Sequence, residues 1–256
     1  MSYKICIVPL SPIRRESLHK SEMVSQLVFG ETCIPTGEIH KEWVGIKTGY
    51  EGYAGWCQES HLAEITADLY NAHPVALTHG WVNTIQFNGL PMKLPFGCCL
   101  PALEKGVADW NGNRVVFRGR TWDIARATRD ETTIRFLACQ YLNTAYLWGG
   151  KTVFGVDCSG FTQTVLRFLG IPVLRDAWQQ AEQGDPVASL EVSRCGDLAF
   201  FNQGEGKISH VGILFNCREI IHASGKVRVD KIDESGIVPE ENSGKTHYLR
   251  GIRRYF

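Results

Sequence analysis

The sequence predicts an α+β protein in which small all-β modules precede a mixed unit of helices and strands, and three observations carry this. In the first half, short apolar or alternating runs are separated by Gly, Pro and Asn clusters at the spacing of small barrels. After Trp122 the pattern changes to longer segments with helical periodicity. A run of strand-like segments follows those helices, which is an α+β order and not an alternating one.

The strand runs of the first half are Gln26–Phe29, Trp43–Thr48, Ala54–Gln58, Trp81–Phe87 and Arg114–Arg118. Phe29-Gly30, Trp43 and Gly52 recur 67 residues later as Phe96-Gly97, Trp110 and Gly119, which implies two copies of one β-module. The mixed unit begins near Ala125–Asp130. There Ile134, Leu137, Ala138 and Tyr141 lie on one helical face, with Asp130 or Thr132 available as a cap. A second helix, Phe161–Leu169, aligns Phe161, Val165 and Phe168; Gly170 stops it and Pro172 lies just beyond. Strands are then expected over Asp197–Phe201, His210–Phe215, Glu219–Ala223 and Lys226–Ile232.

The chain has 256 residues, 44% hydrophobic and 21% charged, an ordinary globular mix. At roughly 150 residues per domain, length alone suggests one to two domains. Lys plus Arg and Asp plus Glu are 27 each, so the net charge is zero with His neutral. Without a basic excess to neutralise phosphates, neither nucleic acid nor an anionic membrane is an expected partner. The longest stretch without charged residues, Leu69–Met92, contains Asn, His, Pro, Gln and Gly and does not read as a membrane span. The apolar run in Met1–Leu10 is too brief for a signal peptide, so the expected location is the cytoplasm; a secreted chain already trimmed of its signal would read the same. Nine cysteines, an odd number without a C-x-x-C pair, read as free thiols.

Cys158 differs from the other cysteines because a helix is expected to start just after it, which places the sulfur near unpaired amide donors and favours thiolate. Its own amide is placed to donate to an oxyanion, and the flanking Gly149-Gly150 and Ser159-Gly160 allow a substrate backbone to come close. A lone cysteine at a helix start is more often structural, so a nucleophile needs a base. His210 and His222 flank the turn at Asn216-Cys217-Arg218. A loop of three or five residues puts two even-numbered histidines on one face of the ladder; a two-residue loop separates them. Paired, one histidine serves as base and the other orients its ring. His19, His40, His61, His73, His79 and His247 read as surface or packing residues. Cys158, His210 and His222 lack the short local spacings of a zinc site, so no metal ligands are assigned.

The segments Tyr146-Leu147-Trp148-Gly149-Gly150, Asp157-Cys158-Ser159-Gly160-Phe161, Gly196-Asp197-Leu198, Ser209-His210-Val211-Gly212 and Ile221-His222-Ala223-Ser224 together resemble the NlpC/P60 cysteine peptidases. The first half, with Ser25-Gln26 through Gly30-Glu31 and Gly52-Tyr53-Ala54-Gly55-Trp56, resembles the bacterial SH3-like modules preceding that domain in the γ-D-glutamyl-L-diamino acid endopeptidases. The resemblance implies a papain-like catalytic domain over residues 126–256 behind two SH3-like β-barrels, 1–66 and 67–125.

It also implies roles. Cys158 matches the nucleophile, His210 the general base and His222 the residue that orients it, while the Tyr146 hydroxyl assists the Cys158 amide in the oxyanion hole. Asp157 and Ser159 match substrate-contacting neighbours of the nucleophile. Asp176, in Arg175-Asp176-Ala177, matches a residue that meets the free amine of an N-terminal L-Ala; its other reading is a cap of a helix through Trp178–Gln183. Glu31 and Tyr53 are placed at the same amine, with Glu22 and Tyr50 as neighbouring rivals, and Ala177 stands where some relatives carry a hydroxyl. The implied activity is hydrolysis of the γ-D-Glu–diamino acid bond in L-Ala-γ-D-Glu-diamino acid peptides, without a cofactor, in cell-wall recycling. The alternatives are a secreted wall-lytic peptidase tethered by its SH3-like modules and a silent peptidoglycan-binding protein.

Overall fold

A computed structural model of the chain describes residues 2–72, 76–238 and 247–256; His73 lies outside the described residues. The chain divides into two compact units, Met1–Arg126 and Ala127–Phe256.

In the first unit, β1 (Tyr3–Cys6), β2 (Leu10–Arg14), β3 (Met23–Val28), β4 (Thr32–His40), β5 (Trp43–Thr48), β6 (Ala54–Gln58) and β7 (Leu62–Ile65) form one antiparallel sheet in the order β3-β2-β6-β5-β4-β1-β7. Its interior is Cys6, Ile13, Leu27, Cys33, Val44, Ile46, Cys57 and Leu62. A short helix, α1 (Ala67–Asn71), follows, its first turn capped by the Thr66 hydroxyl, which accepts from the Leu69 amide. Then come β8 (Ala76–Thr78), β9 (Val82–Phe87), β10 (Leu90–Pro95), β11 (Val107–Trp110), β12 (Asn113–Phe117) and β13 (Thr121–Asp123). Of these, β10-β9-β12-β11 make a four-stranded sheet and β13-β8 a pair. Both hairpins of the four-stranded sheet turn on Asn-Gly pairs with positive φ, 51° and 81° at Asn88-Gly89 and 55° and 88° at Asn111-Gly112. That chemistry suits tight hairpin loops.

The 67-residue repeat holds at Phe29-Gly30 and Phe96-Gly97, whose glycines have φ of 79° and 83°. It fails at tryptophan. Trp43 opens its strand after a turn, whereas Trp110 closes its strand before one. Gly119 likewise lacks the positive φ of Gly52. The two sheets share one core: the Phe29 ring lies 4.9 Å from Trp110 and 5.7 Å from Phe87.

The second unit opens with α2 (Glu131–Cys139), capped by Asp130, which accepts from Thr133 N–H at 2.8 Å. It buries Ile134, Leu137 and Ala138, the face read from the sequence. A small hairpin, β14 (Lys151–Thr152) and β15 (Gly155–Val156), leads into α3 (Cys158–Phe168) and α4 (Ala177–Gln180). The remaining strands are β16 (Asp185–Pro186), β17 (Leu198–Asn202), β18 (His210–Asn216), β19 (Glu219–Ser224), β20 (Lys226–Asp233), β21 (Gly236–Val238) and β22 (Tyr248–Arg254). They form one antiparallel sheet ordered β16-β22-β17-β18-β19-β20-β21, so the C-terminal strand inserts between β16 and β17. Every residue of α3 is buried. Its polar side chains bond internally: the Thr162 hydroxyl donates to Gln180 Oε1 at 2.7 Å, and Gln163 Nε2 donates to the Val173 carbonyl at 3.0 Å, while Gln163 Oε1 is buried without a partner. Gly170, with φ of 70°, follows the helix end. No helix among the described residues is long and apolar enough to cross a membrane, and none of the nine cysteines forms a disulfide.

Candidate active site

The helix α3 begins one turn earlier than the apolar periodicity suggests, because Asp157 caps it and Cys158 is its first residue. Asp157 is the hub of the site. Its Oδ1 accepts from Gly160 N–H at 2.7 Å and its Oδ2 from Gly149 N–H at 2.8 Å. Arg175 donates to both oxygens, at 3.0 Å and 2.6 Å, and a further Arg175 N–H reaches the Ser159 hydroxyl at 2.9 Å. Asp157, Ser159 and Arg175 are all buried, so this is a desolvated, bidentate ion pair. It ties the loop carrying Tyr146, the start of the helix and the Arg175-Asp176 segment together.

Gly149-Gly150 and Gly160 serve this packing and not only a substrate. A Cβ at Gly160 would lie 2.2 Å from the Gly150 carbonyl oxygen, so the chain's own backbone makes the close approach.

The Cys158 sulfur lies against the backbone of Val211 and Ser159, whose amides favour its charged form, and so beside the start of β18. As the first residue of α3, Cys158 has no intrahelical acceptor for its own N–H. The thiolate expected from the helix start is not the resting form. Burial, then the Asp157 carboxylate, pushes the thiol up to about 12, and the two amides and Arg175 do not offset this. Tyr146 is half-buried, and burial followed by Cys158 and Asp157 raises its hydroxyl, which places it beside both.

On β18 and β19, His210 Nε2 lies 2.9 Å from His222 Nδ1, and both rings are buried. The β18–β19 loop has two residues, with Asn216 paired to Glu219, a length that alone would have put the histidines on opposite faces. A bulge between Leu214 and Asn216 shifts the register, so that Leu214 pairs with Ile220 and Gly212 with His222. The histidines therefore sit diagonally on one face. Gly212 is between them, and a Cβ there would lie 2.8 Å from the His222 Cβ.

Two members of the cluster escaped the sequence reading. Asp230 Oδ2 is 3.0 Å from His222 Nε2, and Arg228 donates to Asp230 Oδ1. The signal was present: β19 and β20 meet at Gly225 and pair Ser224 with Lys226 and His222 with Arg228, so an even-numbered residue on β20 shares the histidine face. His247 joins the cluster. Of the surface or packing roles expected for it, packing holds, but against the site: its ring is tilted 39° over His210 with centroids 4.1 Å apart and lies 6.0 Å from His222. Burial pushes it down to about 4. Burial, then His222 and His247, holds His210 well below the usual imidazole range.

Asp176 is half-buried and caps α4, which spans only Ala177–Gln180, through a capping box with Gln179; the Asp176 N–H donates to Gln179 Oε1 at 3.0 Å. In the first unit, Glu31 is buried and its Oε2 accepts from Val28 N–H at 2.8 Å. Tyr53 is half-buried, its amide donating to the Thr48 hydroxyl. Two residues before it, Glu51 has both carboxylate oxygens buried without a hydrogen-bond partner. Among the described residues, no group of three or more His, Cys, Asp or Glu is arranged to hold a metal ion.

Residues 143–243 match the NlpC/P60 family model, and residues 13–62 match that of the bacterial dipeptidyl-peptidase SH3 domain. The chain is 30% identical over 214 residues to a γ-D-glutamyl-L-lysine dipeptidyl-peptidase of Bacillus subtilis (strain 168), covering 78% of this chain and 71% of that protein. It is 28% identical over 223 residues to the Bacillus cereus protein of the same name, covering 80% of this chain and 65%, just under two thirds, of that one. Dipeptidyl-peptidase 6 of Lysinibacillus sphaericus is 24% identical, with 90% and 92% covered. The crystal structure of an NlpC/P60 family protein from Bacillus cereus ATCC 10987 superposes with a TM-score of 0.81 over 99% of both chains at 20% identity, which shows a shared fold.

Proposed function

Because the chain belongs to the NlpC/P60 family, we propose that it is a cysteine peptidase hydrolysing the bond between γ-linked D-Glu and a diamino acid in cell-wall peptides with a free N-terminal L-Ala. The observation that carries this is the buried Cys158 sulfur at the first turn of α3, seated against β18 where the His210–His222 pair begins. Two relatives named for γ-D-glutamyl-L-lysine peptides support the substrate class.

In the reaction, Cys158 Sγ attacks the γ-carbonyl carbon of D-Glu as its proton passes to His210. Since burial favours the neutral form of both groups, proton transfer accompanies attack and does not precede it. The oxyanion is met by the Cys158 amide and the Tyr146 hydroxyl, which burial keeps protonated and able to donate. His210 returns the proton to the departing diamino acid amine. Water, deprotonated by His210, then hydrolyses the thioester, releases L-Ala-D-Glu and restores the thiol.

Asp176 offers a carboxylate to the L-Ala ammonium, with its capping contacts orienting it. Glu31 and Tyr53 are assigned to the same amine. Asp157 and Ser159 flank the nucleophile; with their side chains bonded to Arg175, the substrate contacts assigned to them run through backbone. Reading a free amine suits small released peptides, and so recycling in the cytoplasm rather than attack on intact wall.

The test compares L-Ala-γ-D-Glu-L-Lys, its diaminopimelate counterpart, their N-acetylated forms and crosslinked sacculi. Release of L-Ala-D-Glu from the free tripeptides only, abolished by Cys158→Ala, is the expected result. Equal cleavage of N-acetylated peptide or sacculi would remove the amine requirement.

A further inference from the structure

Below the paired histidines, the site continues through two more groups that fix the direction of its hydrogen bonds. His222 Nε2 is 3.0 Å from Asp230 Oδ2, and Asp230 is buried. Arg228 holds the other carboxylate oxygen, with Nε at 2.9 Å and a second N–H at 2.8 Å. Burial alone would raise this carboxyl, but the hydrogen bonds from His222 and Arg228 and the Arg228 charge outweigh it and keep the carboxylate below its usual range.

An ionised carboxylate only accepts hydrogen bonds, so His222 Nε2 carries a hydrogen. A ring with its one hydrogen on Nε2 offers Nδ1 as an acceptor. The 2.9 Å contact is satisfied only if His210 Nε2 donates, which leaves the lone pair of His210 on Nδ1. The ring cannot readily turn over, because His247 packs on it, tilted, at 4.1 Å and the Phe201 ring lies at 5.9 Å. The groups facing His210 and His222 are thus His247 from β22's approach, Asp230 and Arg228 from β20, and the Cys158 segment of α3.

We propose that Asp230 is a positioning residue that, held by Arg228, polarises the chain Asp230–His222–His210 in one direction and so makes Nδ1 of His210 the atom that takes the nucleophile's proton. This rests on the reading of Cys158 and His210 as nucleophile and base. When His210 becomes the imidazolium, its Nε2–H still donates to His222 and His222 still donates to Asp230. The new positive charge is stabilised without any further proton moving.

Asp230→Asn tests the inference. Arg228 continues to donate to the amide oxygen, which turns the amide N–H toward His222 Nε2 and reverses every bond in the chain. His210 then carries its hydrogen on Nδ1. The expected result is a fall in kcat of about 100-fold or more, with KM changed little, as for a tautomer-setting carboxylate elsewhere. A second measurement is independent of substrate and of the variant's folding: nitrogen-15 NMR of the wild-type chain at pH 7, in which His210 and His222 both show the Nε2–H tautomer. In a folded Asp230→Asn chain both show Nδ1–H. Wild-type His210 as Nδ1–H, a doubly protonated His222, or an Asp230→Asn variant within twofold of wild type would each overturn the inference. If instead the wild-type chain fails to cleave the tripeptide, the functional reading falls while the tautomers still decide this one.

Discussion

His210 and Cys158 are each drawn toward the neutral form by burial, and this sets the pH behaviour expected of the reaction. The base is active when unprotonated, and its value lies well below 6.5, so activity is retained as pH falls through 6.5 and is lost only at lower pH. His247, itself pushed down to about 4, covers one face of the ring and, with His222, opposes its protonation. Replacing His247 by Ala admits water and removes that opposition, so the acid limb of kcat/KM moves up toward the ordinary imidazole value. An unchanged limb in His247→Ala would show that the packed ring has no influence on the base. Cys158, His210 and His222 were legible as a set from their motif residues, whereas ladder parity with the two-residue loop would have separated the histidines. His247 was not, because it reaches His210 only through the insertion of β22, and the charged Tyr248–Arg254 run has no alternation to announce a strand.

At the scale of elements, the site depends on two departures from regular structure. One is the bulge near the end of β18, which repairs the parity that a two-residue loop would otherwise spoil. The other is Gly212, whose missing side chain leaves room for His222 on the neighbouring strand. Gly212→Ala places a Cβ 2.8 Å from the His222 Cβ and from Ile220, so strand and ring must shift. The expected cost is about 1–3 kcal/mol in stability by overpacking. Displacement of the orienting ring lowers kcat about 10- to 100-fold, as misplacement by a fraction of an ångström does. Denaturant titration and single-turnover kinetics read these separately; full activity together with lowered stability would show that His222 tolerates the shift. The helix α3 was readable as an apolar face, but its start at Cys158 was not, because Asp157 does the capping and the first turn carries small polar residues instead of apolar ones.

For the whole molecule, composition and the texture change after Trp122 indicated small β-modules followed by an α+β unit, and the chain has that order because binary pattern and turn chemistry act locally. Within the first unit, the two sheets are joined by a core centred on Phe29 and Trp110. Phe29→Ala therefore costs about 3–5 kcal/mol and lowers hydrogen-exchange protection in β5 and β12 together; loss confined to β5 would show that the sheets open independently. The sequence by itself indicated which residues to consider reactive, the order of small β-modules followed by an α+β unit, and the main strands and helices of the second unit. Only the tertiary structure decided that Asp157 and Ser159 are held by Arg175, that the thiol is neutral at rest, and that Asp230 and His247 complete the histidine cluster. The physical reason is that hydrogen-bond partners and desolvation come from residues far apart in the chain, whereas period, capping and turn preference are written into neighbours.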